Sequence, residues 1–199
     1  MPTIDRRTFL GLLAAAAATP YLVSFTSGRA GAALIGPDTP LQRDWQRVFG
    51  LSVASGDPSP TGVVLWTRIN PSAWAPGQQL MVQVARDPDF LALELETVLT
   101  AEHIRAERDY CVAVDVEGYL QPDYRYYYRF IYRNTVSRTG RCRTAPAYGA
   151  RLEHLKLALL TCQDYTNGYY GGLTQIARDD SIDFVLHLGD FIYETAGDP

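Results

Sequence analysis

The stretch Asp183-Phe-Val-Leu-His-Leu-Gly-Asp-Phe-Ile-Tyr-Glu194 decides the predicted fold of the C-terminal part of the chain. It begins within an apolar run, residues 182–188, which is typical of a parallel strand buried on both faces. The run ends at Gly189, and Asp190 and Tyr193 follow. Because ligands of open parallel sheets bind just beyond the carboxyl ends of the strands, we expect both side chains to lie at a binding site. A carboxylate and a phenolate together suit a hard, highly charged cation such as Fe³⁺.

A second apolar strand upstream is expected to bring a cysteine to the same edge. Residues 155–160 are followed by Thr161-Cys162-Gln163, and residues 169–180 are long enough for about three helical turns. A strand, a helical crossover and a second strand form a βαβ unit, which places both carboxyl ends at one edge of the sheet. Neighbouring strands lie about 4.8 Å apart, so Cys162 and Asp190 could reach a common ion.

Each of these side chains also has a purely structural interpretation. Cys162 could be inert packing at a strand end, Asp190 could cap the following turn, and Tyr193 could be a packed aromatic residue with a hydrogen-bonded hydroxyl. His187 lies inside the second strand, away from its carboxyl edge, which favours a core or supporting role over metal ligation. Convergence of the sulfur, the carboxylate and the phenol at one edge is the arrangement on which a metal site depends.

The composition indicates an ordinary soluble globular protein. Of the 199 residues, 47% are apolar and 20% are charged, and the formal net charge is −4. The acidic balance argues against a nucleic-acid-binding protein. Three cysteines, Cys111, Cys142 and Cys162, are too few and too scattered for a disulfide scaffold or a zinc ribbon. Whether Cys111 and Cys142 are paired or free stays open at this point.

Residues 1–32 have the features of an export signal. Arg6 and Arg7 directly precede an alanine-rich apolar stretch, and Ala30-Gly31-Ala32 offers a cleavage site. The apolar stretch is shorter than the roughly 20 residues of a membrane span, and paired arginines are typical of a twin-arginine signal. We therefore predict export by the twin-arginine translocation machinery, a secreted, periplasmic or cell-wall location, and no stable transmembrane segment after cleavage. An N-terminal helix of the fold and an uncleaved anchor are the alternatives.

The pattern between residues 33 and 148 predicts a linker and then an antiparallel domain. Residues 33–45 contain the turn formers of a linker. Within 46–148, about seven apolar or alternating segments are separated by turn residues: 49–54, 63–69, 80–85, 94–100, 110–116, 124–132 and 135–143. This spacing is typical of a β-sandwich of the fibronectin III/Ig-like type. The segment Leu120-Gln-Pro-Asp-Tyr-Arg-Tyr126 resembles the tyrosine-corner segment of fibronectin type III domains.

Alternation in the strand over residues 124–132 separates an aromatic face from a basic one. Tyr126, Tyr128, Phe130 and Tyr132 share one face, which predicts core packing, with a platform for sugars or bases as the alternative. Residues 124–143 contain six arginines and no acidic residue. They indicate either a solvated sheet face or a surface that attracts an anionic substrate.

An ordered set of motifs resembles the alkaline phosphatase D (PhoD-type) family. Its N-terminal domain is similar to Phe49-Gly-Leu-Ser-Val-Ala-Ser-Gly-Asp-Pro58, Leu65-Trp-Thr-Arg68 and Arg143-Thr-Ala-Pro146. The start of its catalytic domain is similar to Thr161-Cys-Gln-Asp-Tyr165, Gly168-Tyr-Tyr170 and residues 183–194. Together with the signal, these motifs extend over nearly the whole chain, and they are specific as an ordered set.

The resemblance implies a secreted phosphomonoesterase or phosphodiesterase that uses ferric iron and calcium. By position, Cys162, Asp190 and Tyr193 become iron ligands, and Asp190 would bridge to calcium, which accepts only oxygen ligands. A thiolate and a phenolate donate strongly to Fe³⁺, and two cations can clamp a phosphoryl group and generate a hydroxide nucleophile. Purple acid phosphatases share the Asp-x-x-Tyr element, but their first strand ends in aspartate where Cys162 stands here.

The resemblance also implies the front portion of a longer phosphatase, because the catalytic domain of the family continues for hundreds of residues. The remaining metal ligands and the groups that hold phosphate are therefore expected beyond Pro199, and no catalytic residue is assigned within the chain itself.

The expected architecture is a β-sandwich over residues 46–148, followed over 149–199 by the first βαβ unit of an incomplete metallophosphatase domain. We expect this unit to leave its apolar faces uncovered and the 199 residues alone to lack phosphatase activity. The alternative is an exported, non-enzymatic β-sandwich binding module.

Overall fold

A computed structural model describes residues 41–164 and 170–193 of the chain. These residues fall into two units, one up to Tyr148 and one from Gly149 onward. The predicted signal with Arg6 and Arg7, and most of the predicted linker, lie outside the described residues. Within the described part of the chain, no helix is long and apolar enough to cross a membrane.

The end of the predicted metallophosphatase segment, residues 194–199, also lies outside the described residues. The boundary predicted at Pro199, with the remaining catalytic groups beyond it, therefore stays a prediction. Of the predicted segment 149–199, the structure describes residues 149–164 and 170–193.

The first unit is built mainly from antiparallel strands. Its elements in chain order are helix α1 (Trp45–Val48) and strands β1 (Val53–Gly56), β2 (Val64–Arg68), β3 (Leu80–Ala85), β4 (Leu93–Leu99), β5 (Cys111–Asp115), β6 (Arg125–Tyr132), β7 (Thr135–Val136) and β8 (Gly140–Arg143). One sheet has the strand order β1-β2-β5. The other has the order β4-β3-β6-β7, with β8 also paired to β6. The described part is therefore mostly β-sheet with few helices.

One apolar core receives side chains from both sheets. Leu65 and Val114 come from the three-stranded sheet, and Val82 and Phe130 come from the other. The aromatic face of β6 lies in this core, because Tyr126, Tyr128, Phe130 and Tyr132 are almost completely buried. Burial of each such side chain contributes about 1.5–3 kcal/mol to folding. The prediction that this aromatic stripe is core is confirmed.

A buried tyrosine ties β6 to the chain that precedes it. The backbone N–H of Gln121 donates a hydrogen bond to Oη of Tyr126 at 2.8 Å. Thr144 braces the same segment, since its Oγ1 donates to the carbonyl of Gln121 at 2.6 Å and accepts from the N–H of Tyr124 at 3.1 Å. Burial raises the pKa of Tyr126, so its hydroxyl stays protonated over the physiological range. This is the contact expected of a tyrosine-corner segment.

Replacing Tyr126 with phenylalanine is expected to destabilise the first unit by about 1–2 kcal/mol, because the N–H of Gln121 loses its acceptor. Urea unfolding followed by circular dichroism would measure the change. Tyr124→Phe is the matched control, since it removes the same atom from a half-exposed ring two residues away. Equal stability of the two variants would contradict a structural role for the Tyr126 hydroxyl.

Two predicted strands of the first unit are wrong in detail. Residues 135–143 form two short strands, because the N–H of Phe130 donates to the hydroxyl of Ser137 and not to its carbonyl, although the N–H of Ser137 still donates to the carbonyl of Phe130 at 2.8 Å. The Oγ of Ser137 accepts from the N–H of Phe130 at 2.9 Å and donates to the carbonyl of Arg138 at 2.7 Å. The strand predicted over residues 49–54 begins only at Val53. Phe49 precedes it, fully buried, at the end of α1.

The second unit contains the predicted strand, helix and strand. Strands β9 (Leu157–Leu160) and β10 (Phe184–His187) pair in parallel, and helix α2 (Gly171–Arg178) lies between them in the sequence. The prediction that both strands are buried on both faces is wrong for the described residues. The exposed fraction of Leu159 is 61% and that of Val185 is 52%, because the described part of this unit has only two strands and one short helix.

We expect the backbone amides of β9 and β10 to exchange with solvent much faster than those of β3 and β6. Protection depends on buried apolar contacts, which β3 has along its whole length and β9 lacks. Hydrogen exchange of the full chain, followed by mass spectrometry, would measure both units in one sample. Equal protection of the two strand pairs would show that the apolar faces of the second unit are covered in solution.

Candidate metal centre

Backbone hydrogen bonds beyond β9 and β10 hold two loops side by side. The N–H of Leu188 donates to the carbonyl of Leu160 at 2.8 Å. Further on, the N–H of Gln163 donates to the carbonyl of Asp190 at 3.1 Å, and the N–H of Tyr193 donates to the carbonyl of Gln163 at 2.8 Å. Gln163, which the sequence analysis did not single out, therefore connects the two loops. It acts through its backbone amide and carbonyl, so no side-chain signal marks it in the sequence.

The three predicted side chains meet at this edge. The Cys162 sulfur lies 3.7 Å from Oδ2 of Asp190, and Oη of Tyr193 lies 3.8 Å from the same sulfur. These distances are hydrogen-bond lengths for sulfur, so a thiol, a carboxylate and a phenol surround one point. The structure therefore brings the three side chains together, as their positions just after two parallel strands predicted. The purely structural interpretation of each residue does not require it.

The backbone at these positions adopts a conformation that side chains disfavour. The φ angle is 54° at Cys162 and 48° at Asp190, and it is 114° at Gly189 of the second loop. A left-handed conformation is uncommon for residues other than glycine and costs of order 1–3 kcal/mol unless the surroundings enforce it. Nine other non-glycine residues of the described chain also have positive φ, so this conformation by itself does not mark the site.

Cys162 is the exposed thiol of the chain. All three cysteines are free, so neither Cys111 nor Cys142 forms a disulfide. Burial raises the pKa of Cys142 to about 12, and burial also raises the pKa of Cys111. These two thiols are therefore poor metal ligands and poor nucleophiles near neutral pH. Only Cys162 combines exposure with neighbouring oxygen donors.

The neighbours of Tyr193 favour its protonated form when no cation is present. Hydrogen bonds to Asp190 first, and then to Cys162, raise the pKa of the Tyr193 phenol. A cation among the three groups would reverse this preference, because it attracts the phenolate, the thiolate and the carboxylate together. Metal binding at this cluster is then expected to release protons.

A thiol, a carboxylate and a phenol together suit Fe³⁺ better than they suit Ca²⁺. One thiolate and one phenolate suit Fe³⁺, whereas calcium accepts oxygen ligands only and would rely on Asp190. No group of three or more Cys, His, Asp and Glu able to hold a metal occurs among residues 41–164 and 170–193. The cluster found here differs from such a group because its third donor is a tyrosine.

His187 supports the loop that carries Asp190. Its Nδ1 accepts a hydrogen bond from the N–H of Gly189 at 3.3 Å, and its ring lies 5.0 Å from the ring of Phe191. Its Nε2 is buried and has no hydrogen-bond partner among the described residues. This is the predicted supporting role, although His187 is the last residue of β10 and not an interior one.

Comparison with known proteins identifies relatives of both units. The family "PhoD-like phosphatase, N-terminal domain" matches residues 37–146, and the family "PhoD-like phosphatase" matches residues 157–199. Alkaline phosphatase D of Bacillus subtilis (strain 168) is 38% identical over 152 residues, which cover 73% of this chain and 25% of that protein. A solved structure titled "Structure of PhoD" superposes with a TM-score of 0.68 at 34% identity.

The chain spans about a quarter of the length of these relatives. The solved structure covers 74% of this chain, but only 28% of that structure is matched. The mostly β architecture of the described residues agrees with it. The resemblance drawn from the motifs is confirmed, because the N-terminal-domain family alone matches more than half of the 199 residues. The chain belongs to the PhoD-like phosphatase family.

Proposed function

We propose that this chain is the front portion of an exported alkaline phosphatase or phosphodiesterase, which hydrolyses phosphoesters at a centre of iron and calcium. The observation that carries the proposal is the convergence of Cys162, Asp190 and Tyr193 at the carboxyl edge of two parallel strands. These residues lie in the region that matches the PhoD-like phosphatase family. The relative with 38% identity is named an alkaline phosphatase, which supports a phosphoester as substrate.

The architecture that we propose has four parts. Residues 1–32 are a twin-arginine signal, with Arg6 and Arg7 as its paired arginines, and residues 33–45 are a linker. Residues 46–148 form a fibronectin III/Ig-like sandwich, and residues 149–199 begin the metallophosphatase domain. Support for the sandwich comes from two antiparallel sheets that share one core and from the hydrogen bond between Gln121 and Tyr126.

Each ligand has a separate task in this proposal. Cys162 and Tyr193 would hold Fe³⁺ with anionic donors, and Asp190 would bind Fe³⁺ and share its carboxylate with Ca²⁺. When bound, the two cations neutralise charge on the phosphoryl group and supply a hydroxide at neutral or alkaline pH. The backbone of Gln163 fixes the loop of Cys162 against the loop that carries both Asp190 and Tyr193, and His187 fixes the turn at Gly189.

The 199 residues bind iron in this proposal but do not complete the catalytic site, whose remaining groups lie beyond Pro199. The three donors are solvent-exposed, whereas efficient phosphoryl transfer needs both cations in a shaped site that excludes water. Apolar side chains around them, such as Leu188 and Phe191, are also exposed. We therefore expect this chain to take up Fe³⁺ without turning over phosphoesters.

Purified chain loaded with Fe³⁺ and Ca²⁺ tests both statements in one preparation. Metal analysis should give about one iron per chain. Hydrolysis of p-nitrophenyl phosphate and bis-p-nitrophenyl phosphate should not exceed that of the metal salts alone, with Bacillus subtilis alkaline phosphatase D as the positive control. Turnover that disappears in Cys162→Ala would show that these residues suffice for catalysis. Iron content unchanged by Cys162→Ala would contradict the metal centre itself.

A further inference from the structure

A groove of about 660 Å³ opens on the first unit. Its walls come from four separate parts of the chain: the segment before β1, the turn between β3 and β4, strand β6, and the end of β7 with the turn that follows it. The residues that line it are Arg43, Trp45, Pro88, Asp89, Arg129, Val136, Ser137, Arg138 and Thr139. This volume lies within the usual range for small-ligand sites.

The groove is positively charged, although the chain as a whole carries a net charge of −4. Three arginines, Arg43, Arg129 and Arg138, face a single carboxylate, that of Asp89. Within the described part of the chain, Arg43 and Arg138 form no ion pair with any carboxylate. A concentration of unpaired guanidinium groups in a concave surface attracts anions.

Two of the guanidinium groups are held in place by aromatic rings. Arg138 lies over the ring of Trp45 at 4.7 Å, and Arg129 lies over the ring of Phe90 at 3.9 Å. Stacking on a ring fixes the orientation of the planar guanidinium. Its N–H groups, which lie in that plane, can then bind an oxyanion in bidentate fashion. The groove therefore presents preorganised donors, which lose little side-chain entropy on binding.

A hydrogen-bonded row across three strands positions Arg129. Its Nε donates to Oε1 of Gln83 at 2.7 Å, and Nε2 of Gln83 donates to Oε2 of Glu96 at 2.6 Å. These residues are direct neighbours in the registers of β6, β3 and β4. Burial lowers the pKa of Arg129, which Glu96 opposes only in part. Among the described residues Arg129 makes no direct ion pair, and Glu96 reaches it only through Gln83.

We propose that this groove binds a condensed phosphate, an anion that carries several negative charges on linked phosphate groups. Three guanidinium groups match the tetrahedral oxygens of phosphate, for which charge-assisted bidentate hydrogen bonds are the strongest mode of recognition. The hydroxyl of Thr139 makes no hydrogen bond to the described residues and adds a neutral donor. All the lining residues belong to the first unit, so binding here does not require the Cys162 cluster.

Fluorescence of the metal-free full chain tests the proposal, because Trp45 lines the groove. Titration with sodium tripolyphosphate at about 0.15 M ionic strength should give a saturable signal that is absent in Trp45→Phe. Sodium orthophosphate should bind at least about 10-fold more weakly, which distinguishes a site for condensed phosphate from a site for free phosphate. Equal affinity for the two anions would overturn the proposed class of ligand.

Variants that each remove one positive charge test whether the anion binds in the groove. Arg43→Gln and Arg138→Gln, both at exposed positions, should each weaken tripolyphosphate binding about 10-fold, the effect of losing one charge-assisted contact. Arg138→Lys keeps the charge but loses the bidentate geometry of the guanidinium. Its affinity for tripolyphosphate should lie between those of the wild type and Arg138→Gln.

The control Arg47→Gln removes the same charge from helix α1 outside the groove and should change affinity by less than about 2-fold. Cys162→Ala should bind tripolyphosphate like the wild type. The proposal fails if Arg47→Gln weakens binding as much as Arg138→Gln does, or if no saturable binding is seen. It also fails if Cys162→Ala abolishes binding, because the anion would then lie at the cysteine cluster.

Discussion

Replacing Tyr193 with phenylalanine is expected to remove the visible charge-transfer band of Fe³⁺ bound to the chain. The band requires an iron–phenolate bond, and Tyr193 is the phenol that lies 3.8 Å from the Cys162 sulfur. Loss of a direct ligand should weaken iron binding by more than the roughly 10–100-fold that loss of a supporting residue costs. Absorbance titration with a chelated Fe³⁺ salt would measure the band and the affinity together.

Tyr148→Phe is the matched control for this experiment. Tyr148 belongs to the first unit, and 93% of it is exposed, so its hydroxyl can be removed without disturbing a contact. Its variant should retain the full band. A band that persists in Tyr193→Phe would contradict phenolate ligation at this site. A band lost equally in both variants would point to nonspecific iron binding by surface tyrosines.

Replacing Gly140 with alanine is expected to destabilise the first unit by about 3 kcal/mol. A Cβ at Gly140 would lie 2.2 Å from Cζ and 2.5 Å from Cε1 of Tyr128, its cross-strand neighbour on β6. Tyr128 is almost completely buried in the core, so the ring has little room to move aside. Overpacking of a filled core typically costs about 1–3 kcal/mol, and a clash with a fixed ring lies at the upper end. Thermal and urea unfolding would measure the loss.

Gly56→Ala is the matched control, because nothing lies within 4 Å of a Cβ at that strand position. It should change stability by less than about 0.5 kcal/mol. A double-mutant cycle with Tyr128→Ala sharpens the test, since removing the ring should cancel much of the penalty of Gly140→Ala. Additive effects of the two substitutions would show that the ring and the glycine are not in contact.

Local sequence patterns predicted the position of a strand correctly where turn residues mark its end. The strand predicted over residues 80–85 coincides with β3. It ends where the side chain of Asp87 accepts hydrogen bonds from the N–H groups of Leu91 and Ala92 at 3.1 and 2.7 Å. Residues 135–143 were harder to predict, because the hydroxyl of Ser137 competes with backbone pairing only when Phe130 lies opposite it.

The position of the candidate metal centre was predictable because it follows from the topology of the two parallel strands. Parallel strands joined by one helix must present their carboxyl ends at a common edge, so placing Cys162 and Asp190 directly after two apolar runs predicted their proximity. The part played by Gln163 could not be predicted, since a backbone amide and carbonyl leave no mark in the sequence. The exposure of Leu159 and Val185 followed from the expectation that two parallel strands cannot cover their own apolar faces.

What the sequence by itself determined is therefore local and periodic: strand alternation, the parallel pair, the three convergent donors and the family. Only the tertiary structure decided which charges meet. Arg143 is paired with Asp123 at 2.7 Å, whereas Arg129 and Arg138 join Arg43 in a groove. The sequence shows six arginines within residues 124–143, but it does not show which of them form ion pairs and which line the groove. Burial and charge neighbours depend on which strands pair across dozens of residues, and this long-range packing is not encoded in any one segment.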